Sequence, residues 1–495
     1  MSLIQVTDLS FSYEDSYDMI FENVSFQIDT DWKLGFTGRN GRGKTTFLNL
    51  LMGKYEYSGK ITSGAAFDYF PFPVKDPSQD AIDIIAGISA EISSWQVMKE
   101  LHKLGLSDDV LFRPFKTLSN GERTKVLLAA LFSQENHFLL IDEPTNHLDL
   151  EGREVVSRYL NSKKGFILIS HDRTFLDSCV DHILSINKTD IEVQKGNFSS
   201  WYQNKQMRDE FETAENERLK KDIRRLSAAA RQSSEWADKV ESTKIGKKSV
   251  SLEKCKDTRA YIGEKSRRMQ MRRKNLERRQ SRALEEKTGL LKNIENTESL
   301  KLEPLIYHKD RLASVSDLKI YYGDHVVCDP VSFTVEQGER VCLKGKNGCG
   351  KSSIIKLMMG EDIPFQGELS VGSGLKLSYV SQDTSFLKGN LKDYAEKCGV
   401  EERLLKALLR KLDFSRVQFE KNMESFSEGQ KKKVLIARSL CEKAHLYIWD
   451  EPLNFIDIYS RMQIEELLLY WKPTLLFVEH DASFARKIAT KTVEM

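Results

Sequence analysis

Two stretches of this chain carry the residue types that cradle a chain of phosphates. Gly38-Arg39-Asn40-Gly41-Arg42-Gly43-Lys44-Thr45 and Gly345-Lys346-Asn347-Gly348-Cys349-Gly350-Lys351-Ser352 both fit Gly-x-x-x-x-Gly-Lys-[Ser/Thr]. Glycines let backbone N–H groups turn toward phosphate oxygens, and the start of the following helix adds a favourable field. Lys44 or Lys351 then meets the β- and γ-phosphates, Thr45 or Ser352 ligates Mg²⁺, and Thr46 and Ser353 follow as further cofactor-binding positions. Acids that complete such chemistry stand at Asp142-Glu143 and Asp450-Glu451, each at the end of an apolar run (Phe138-Leu139-Leu140-Ile141 and Leu446-Tyr447-Ile448-Trp449). Asp142 and Asp450 suit water-mediated Mg²⁺ binding, and Glu143 and Glu451 suit orienting or deprotonating an attacking water, since phosphoryl transfer depends on positioning. An isolated Asp-Glu after a strand is usually a turn or a helix cap. The spacing from the lysine decides for chemistry here.

The elements that must position these residues are legible from the flanks. Each glycine-rich loop follows a strand-like run (32–37 and 340–344) and precedes a helix-like one, as a phosphate-binding loop requires. The apolar runs before the acids read as buried parallel strands delivering carboxylates at their C-terminal edge, where open α/β sheets bind ligands. The whole arrangement occurs twice. Lys44 and Lys351 lie 307 positions apart, Ser119 and Ser427 308, Asp142 and Asp450 308, His171 and His480 309, and Tyr13 and Tyr322 309. Five motifs in one order at offsets of 307 to 309 make the chain a tandem duplication.

Leu118-Ser119-Asn120-Gly121-Glu122 and Phe426-Ser427-Glu428-Gly429-Gln430 resemble the signature motif of ATP-binding-cassette proteins, the family to which the repeat as a whole is similar. That resemblance implies an α/β fold with two tandem cassettes stacked head to tail, each ATP lying between one copy's Walker loop and the other copy's signature. One site then combines Lys44, Thr45, Asp142, Glu143 and His171 with Ser427 and Gly429. The other combines Lys351, Ser352, Gln382, Asp450, Glu451 and His480 with Ser119 and Gly121, Gln382 serving the metal as well. By the same resemblance His171 and His480 are γ-phosphate sensors, and Tyr13 and Tyr322 stack on adenine. Two departures stand out. Phe70-Pro71-Phe72 occupies the first Q-loop where the second has Val380-Ser381-Gln382, and the second D-loop reads Leu453-Asn454-Phe455-Ile456-Asp457 against Thr145-Asn146-His147-Leu148-Asp149. Unequal sites are expected.

Length and composition agree with two or three soluble domains. The chain has 495 residues, 40% hydrophobic and 30% charged, and no apolar run near the ~18 residues of a spanning helix. Its first residues lack the pattern of a secretion signal. Seven cysteines without a Cys-x-x-Cys pair suggest neither a disulfide framework nor a zinc site. The net charge of +2 hides a segregation: residues 201–300 hold 26 Lys and Arg against 17 Asp and Glu. No proline occurs from 201 to 303, and Glu, Lys, Arg, Ala and Leu dominate, which favours long helices. We read a first cassette over 1–200, a helical-hairpin linker over 201–311 and a second cassette over 312–495. The hairpin's helices are expected at about 200–238 and 264–298, with a tip at about 236–264.

Two cassettes without a membrane span, joined by a basic hairpin, resemble the ABC-F group. That resemblance implies binding to the 70S ribosome, with the linker meeting rRNA phosphates and tRNA. Similar gaps from Phe72 to Leu118 (46) and from Gln382 to Phe426 (44) leave no room for an extra arm, and the chain ends 15 residues after His480. This compact plan, with Phe72 in the Q-loop and Leu453-Asn454-Phe455 in the D-loop, is similar to the Lsa-type antibiotic-resistance proteins of Gram-positive bacteria. The similarity implies a cytoplasmic, ribosome-associated monomer whose cassettes pair within one chain, with ATP and Mg²⁺ as cofactors. It further implies protection of the 50S peptidyl-transferase centre against lincosamides, streptogramin A and pleuromutilins. In that scheme the factor docks in the E site and displaces P-site tRNA beside the 23S rRNA. The tip residues Trp236, Lys239, Lys244, Lys247, Lys248, Lys254 and Lys256 are the contacts expected there. Trp236 suits stacking on RNA and equally suits helix packing. A housekeeping translation factor, a transporter ATPase and a DNA-repair ATPase are the alternative readings. The basic segment between two complete copies weighs against the last two.

Overall fold

Residues 2–13, 19–88, 93–134, 136–146, 148–186, 190–242, 304–322, 325–346 and 348–495 are described by a computed structural model, with eight further positions between Glu264 and Arg279. They form two compact units, Met1–Trp201 with Glu298–Met495, and Tyr202–Thr297. The first unit holds both copies of the repeat.

Each copy is built on a mainly parallel sheet. In the first copy the order is Ala66–Phe70, His137–Asp142, Phe166–Ile169, Lys33–Thr37, His182–Ile186 and Ile191–Lys195, the last pair antiparallel. In the second it is Leu377–Val380, Leu446–Asp450, Leu475–Val478, Arg340–Lys344 and Lys491–Glu494, all parallel. The strand feeding each glycine-rich loop therefore lies beside the strand that precedes the histidine, and one further strand away is the one that carries the acids. Burial explains the composition. Phe138, Leu139, Leu140 and Ile141, and Leu475, Leu476, Phe477 and Val478, are all buried, because neither face of a central parallel strand meets water.

A smaller antiparallel sheet covers each parallel one. Leu3–Phe11 pairs with Phe21–Asp29 and Ser58–Thr62, and Arg311–Tyr322 pairs with Val331–Glu336 and Phe365–Val371. Their inward side chains, among them Ile4, Val6 and Leu9, pack in one cluster with Phe47 and Leu48 of the helix Lys44–Leu51 and with Phe138 and Leu140. That packing seats the helix whose first turn follows the glycine-rich loop.

A helix spans Phe198–Ser242, longer at both ends than the expected 200–238. The side chain of Asn197 accepts from Ser200 N at 3.1 Å, so the start is set by a local cap rather than by the bulk composition. The eight described positions between Glu264 and Arg279 are all helical. The tip residues Lys244, Lys247, Lys248, Lys254 and Lys256, the side chains of Trp236 and Lys239, and the rest of the expected second helix lie outside the described residues, as does Asn347.

Candidate functional site

The glycine-rich loops end in left-handed turns that only glycine adopts without strain. Gly43 and Gly350 sit at φ 89° and 93° directly before the helices Lys44–Leu51 and Lys351–Met358. A Cβ on Gly43 would lie 2.5 Å from Ile20, so the space is closed as well. Inside the loop Lys44 Nζ donates to the carbonyls of Gly38 (2.6 Å) and Arg39 (3.2 Å) and to Asn40 Oδ1 (3.3 Å). Lys351 Nζ donates in the same way to Gly345 O (2.8 Å) and Lys346 O (2.7 Å). Burial pulls the Lys44 ammonium below its ordinary pKa, while Asp457, Glu143 and Asp142 oppose that loss of charge.

Hydroxyl and carboxylate meet beside each lysine. Thr45 donates to Asp142 Oδ2 at 2.9 Å, Tyr69 donates to the same oxygen at 3.0 Å, and Ser352 donates to Asp450 Oδ1 at 3.2 Å. Burial raises the pKa of both aspartates. Desolvated carboxylate and hydroxyl oxygens at one point are the hard donor set that Mg²⁺ takes, so the residues present fit that ion.

The following glutamates are held in an unusual backbone conformation. Glu143 has φ 52° and Glu451 φ 45°, the left-handed region that non-glycine residues rarely occupy. Main-chain bonds from Glu143 N to Ile169 O (2.9 Å) and Glu451 N to Val478 O (3.1 Å) fix them to the strand before the histidine. His171 Nε2 lies 3.3 Å from Glu143 Oε1, and His480 Nε2 lies 3.4 Å from Glu451 Oε1. Each copy thus brings its expected lysine, hydroxyl, aspartate, glutamate and histidine together at one sheet edge.

The copies differ at the glutamate. Gln382 Nε2 and Asn454 Nδ2 donate to Glu451 Oε2 at 2.9 and 2.7 Å. No side-chain amide among the described residues reaches Glu143, and the position of Gln382 is taken by Phe72. Burial, then the neighbouring Asp142 charge, pushes the Glu143 carboxyl up to about 8. Burial acts on Glu451 as well, but His480, Lys351 and Lys432 outweigh it and hold its pKa below the ordinary carboxylate range. Burial likewise drives the His171 imidazole well below its usual pKa.

Tyr13 and Tyr322 lie beside their loops, half-exposed, their hydroxyls 2.8 Å from Thr46 Oγ1 and 3.2 Å from Ser353 Oγ. Ser119 and Ser427 cap the helices Asn120–Leu131 and Glu428–Cys441, accepting from Glu122 N (3.2 Å) and Gln430 N (3.3 Å). The second copy's signature meets the first copy's loop. Asn40 Nδ2 donates to Phe455 O at 2.9 Å, and a Cβ on Gly429 would lie 2.3 Å from that carbonyl and 3.2 Å from Asn40 Nδ2. Lys346 of the second loop pairs with Glu151 of the first copy at 2.9 Å. A loop, two acids and a histidine from one copy, closed by the glycine of a capped helix from the other, occur at a repeat interface.

A family profile described as ABC transporter matches residues 21–146 and again 328–454. This chain belongs to the ATP-binding-cassette family. It is an ATPase of that type, and the curated relatives it resembles along its length are ABC-F-type proteins. It is 28% identical to the ribosome protection protein VmlR of Bacillus subtilis, over 97% of this chain and 85% of that one. It is 27% identical to the putative ATP-binding protein YdiF of the same organism, over 100% and 80%. Probable ATP-binding protein YheS of Escherichia coli K12 is 27% identical over 94% and 75%. Among solved structures the fold is similar to the archaeal ribosome recycling factor aABCE1, in its complex with stalk protein aP1 (TM-score 0.63, 18% identity, 98% of this chain and 87% of that one). RNase-L inhibitor is similar too (TM-score 0.61, 17% identity, 99% and 87%). No described helix is long and apolar enough to cross a membrane.

Some residues of these cassette sites escape a motif reading. Asn454 reads in the sequence only as part of a divergent D-loop, yet its amide holds Glu451. Lys432, inside the second signature helix, is 2% exposed and reaches the carbonyls of Ser381 (2.9 Å) and Glu451 (3.2 Å). The sequence carried one signal for it: Lys432 aligns with Thr124 in the first copy, and Glu479 with Ser170, so two charges of opposite sign enter the second copy together.

Proposed function

We propose that this ATPase binds the 70S ribosome and protects the 50S peptidyl-transferase centre from lincosamide, streptogramin A and pleuromutilin antibiotics. The observation that carries the reading is the basic segment, 26 Lys and Arg against 17 Asp and Glu over 201–300, standing between two complete cassettes. A segment of that charge suits rRNA and tRNA phosphates. Similarity to a ribosome protection protein over nearly the whole chain supports it. The domain scheme is a first cassette over 1–200, a linker over 201–311 and a second cassette over 312–495, all in a cytoplasmic monomer.

In this mechanism ATP bridges the first copy's loop, Gly38 to Thr46, and Ser427 with Gly429. A second ATP bridges Gly345 to Ser353 and Ser119 with Gly121. Lys44 and Lys351, now turned onto loop carbonyls, exchange those partners for phosphate oxygens. Thr45, Asp142, Ser352, Gln382 and Asp450 would hold Mg²⁺, which supplies charge neutralisation on the phosphates. Glu143 and Glu451 orient the attacking water, His171 and His480 sense the γ-phosphate, and Tyr13 and Tyr322 stack on adenine. Closed cassettes dock in the E site, and the linker tip displaces P-site tRNA and drug. Hydrolysis removes the bridge and releases the factor.

A translation factor without drug protection is the second reading, kept because YdiF and YheS, at 27% identity, are named for ATP binding and not for ribosome protection. The ribosomal part is tested with the double variant Glu143→Gln, Glu451→Gln, pelleted with 70S particles. ATP-dependent retention is expected, and a variant that stays in the supernatant with ATP present contradicts ribosome binding.

A further inference from the structure

We propose that Lys432 is a positioning residue of the second ATP site: its ammonium pins the Q-loop to the end of the acid-bearing strand, so that Gln382 holds the Glu451 carboxylate. This rests on the reading of Glu451 as the residue that acts on water. Lys432 is 2% exposed and donates to Ser381 O at 2.9 Å and Glu451 O at 3.2 Å. Ser381 is the neighbour of Gln382, whose amide donates to Glu451 Oε2 at 2.9 Å. One buried cation therefore fixes the two main-chain segments whose side chains make that bond. A carboxylate that must aim at water gains from such support, because geometry supplies much of the rate in phosphoryl transfer.

The same stretch is tied a second time. Thr384 donates to Glu428, which begins the helix that also carries Lys432. Burial lowers the pKa of Lys432, and Asp450, Glu451, Glu479 and Glu428 act to keep it charged. Glu479 belongs to the same arrangement. Its carboxylate accepts from Leu453 N (3.2 Å) and His480 N (2.9 Å), holding the D-loop from which Asn454 reaches Glu451.

The first copy lacks the device. Thr124, in the place of Lys432, donates to Asn120 O of its own helix at 3.0 Å. Ser170, in the place of Glu479, pairs with Thr145 across 3.1 Å. Phe72, in the place of Gln382, has no amide to hold. Lysine and glutamine occur together in the second copy and are absent together from the first, as expected if one serves the other.

The test measures Mg-ATP hydrolysis by the full chain. Lys432→Met should lower kcat at least tenfold with KM for ATP within twofold, and Lys432→Arg, which keeps charge and donors, should return to within threefold. The loss should be at least fivefold larger in a Glu143→Gln background, where the second site turns over, than in a Glu451→Gln background. Should Lys432→Met not fold, Lys432→Gln takes its place in every comparison. A kcat within twofold of the unsubstituted chain overturns the proposal. So does Lys432→Arg as impaired as Lys432→Met, or an equal loss in both backgrounds. Glu451→Gln without any loss of turnover would instead remove the reading of Glu451, and the positioning role with it.

Discussion

At the scale of single residues, the two cassettes have the same acids in different surroundings. Glu451 is gripped by Gln382 and Asn454 and stays ionised, whereas Glu143 has no side-chain amide among the described residues and burial pushes it to about 8. Turnover should therefore depend chiefly on the second site. Glu451→Gln is expected to lower steady-state phosphate release by about 100-fold, the range for loss of a positioned base. Glu143→Gln should cost under about tenfold on the same scale. Equal losses would show that the difference in surroundings has no kinetic weight. The motifs at these positions were legible because types and spacing suffice to find them. The left-handed backbone at both glutamates was not, because glutamate does not announce positive φ. Nor was the purpose of Lys432, whose partners come from segments 19 and 51 positions distant.

At the scale of elements, capped helices and glycine turns place the lysines and hydroxyls of the two loops. The parallel strands were readable as unbroken apolar runs, and the helices after the loops as the runs that follow Lys44 and Lys351. Helix ends were less readable, as Asn197 illustrates by setting a start that composition alone cannot locate. Gly43→Ala forces a side chain into φ 89° and against Ile20, and should destabilise the chain by about 1–3 kcal/mol in denaturant unfolding. Wild-type stability in that variant would mean the turn relaxes freely. Gly429→Ala acts differently. Its Cβ would stand 2.3 Å from Phe455 O at the junction of the copies, so we expect normal single-cassette folding with ATP turnover lowered by roughly tenfold or more. Unaltered turnover would mean that this close approach is unnecessary for hydrolysis.

At the scale of the whole molecule, the repeat is symmetric in motif and asymmetric in contact. Arg173 of the first copy and Glu465 of the second form a buried ion pair, joined by Lys487 at 3.2 Å. The corresponding positions on the other side are Ala482 and Ser157, which line a cavity of about 330 Å³. Breaking one partner of a buried pair strands the other, so Arg173→Ala should cost roughly 3 kcal/mol in thermal or denaturant unfolding. A change near zero would mean that water or Lys487 satisfies Glu465 alone. Duplication and cassette content could be read from motifs that recur at offsets of 307 to 309. This one-sided link could not, because it joins residues 292 positions apart that belong to no motif. The basic segment was legible as charge and as helix, the first helix lying at Phe198–Ser242, whereas the side chains of its expected tip contacts lie outside the described residues. The central claim is therefore best tested by function: the minimum inhibitory concentrations of lincomycin, tiamulin and virginiamycin M in a susceptible Gram-positive host expressing the chain or its Glu143→Gln, Glu451→Gln variant. Raised values that disappear in the variant are predicted, and unchanged values with confirmed expression would contradict ribosome protection.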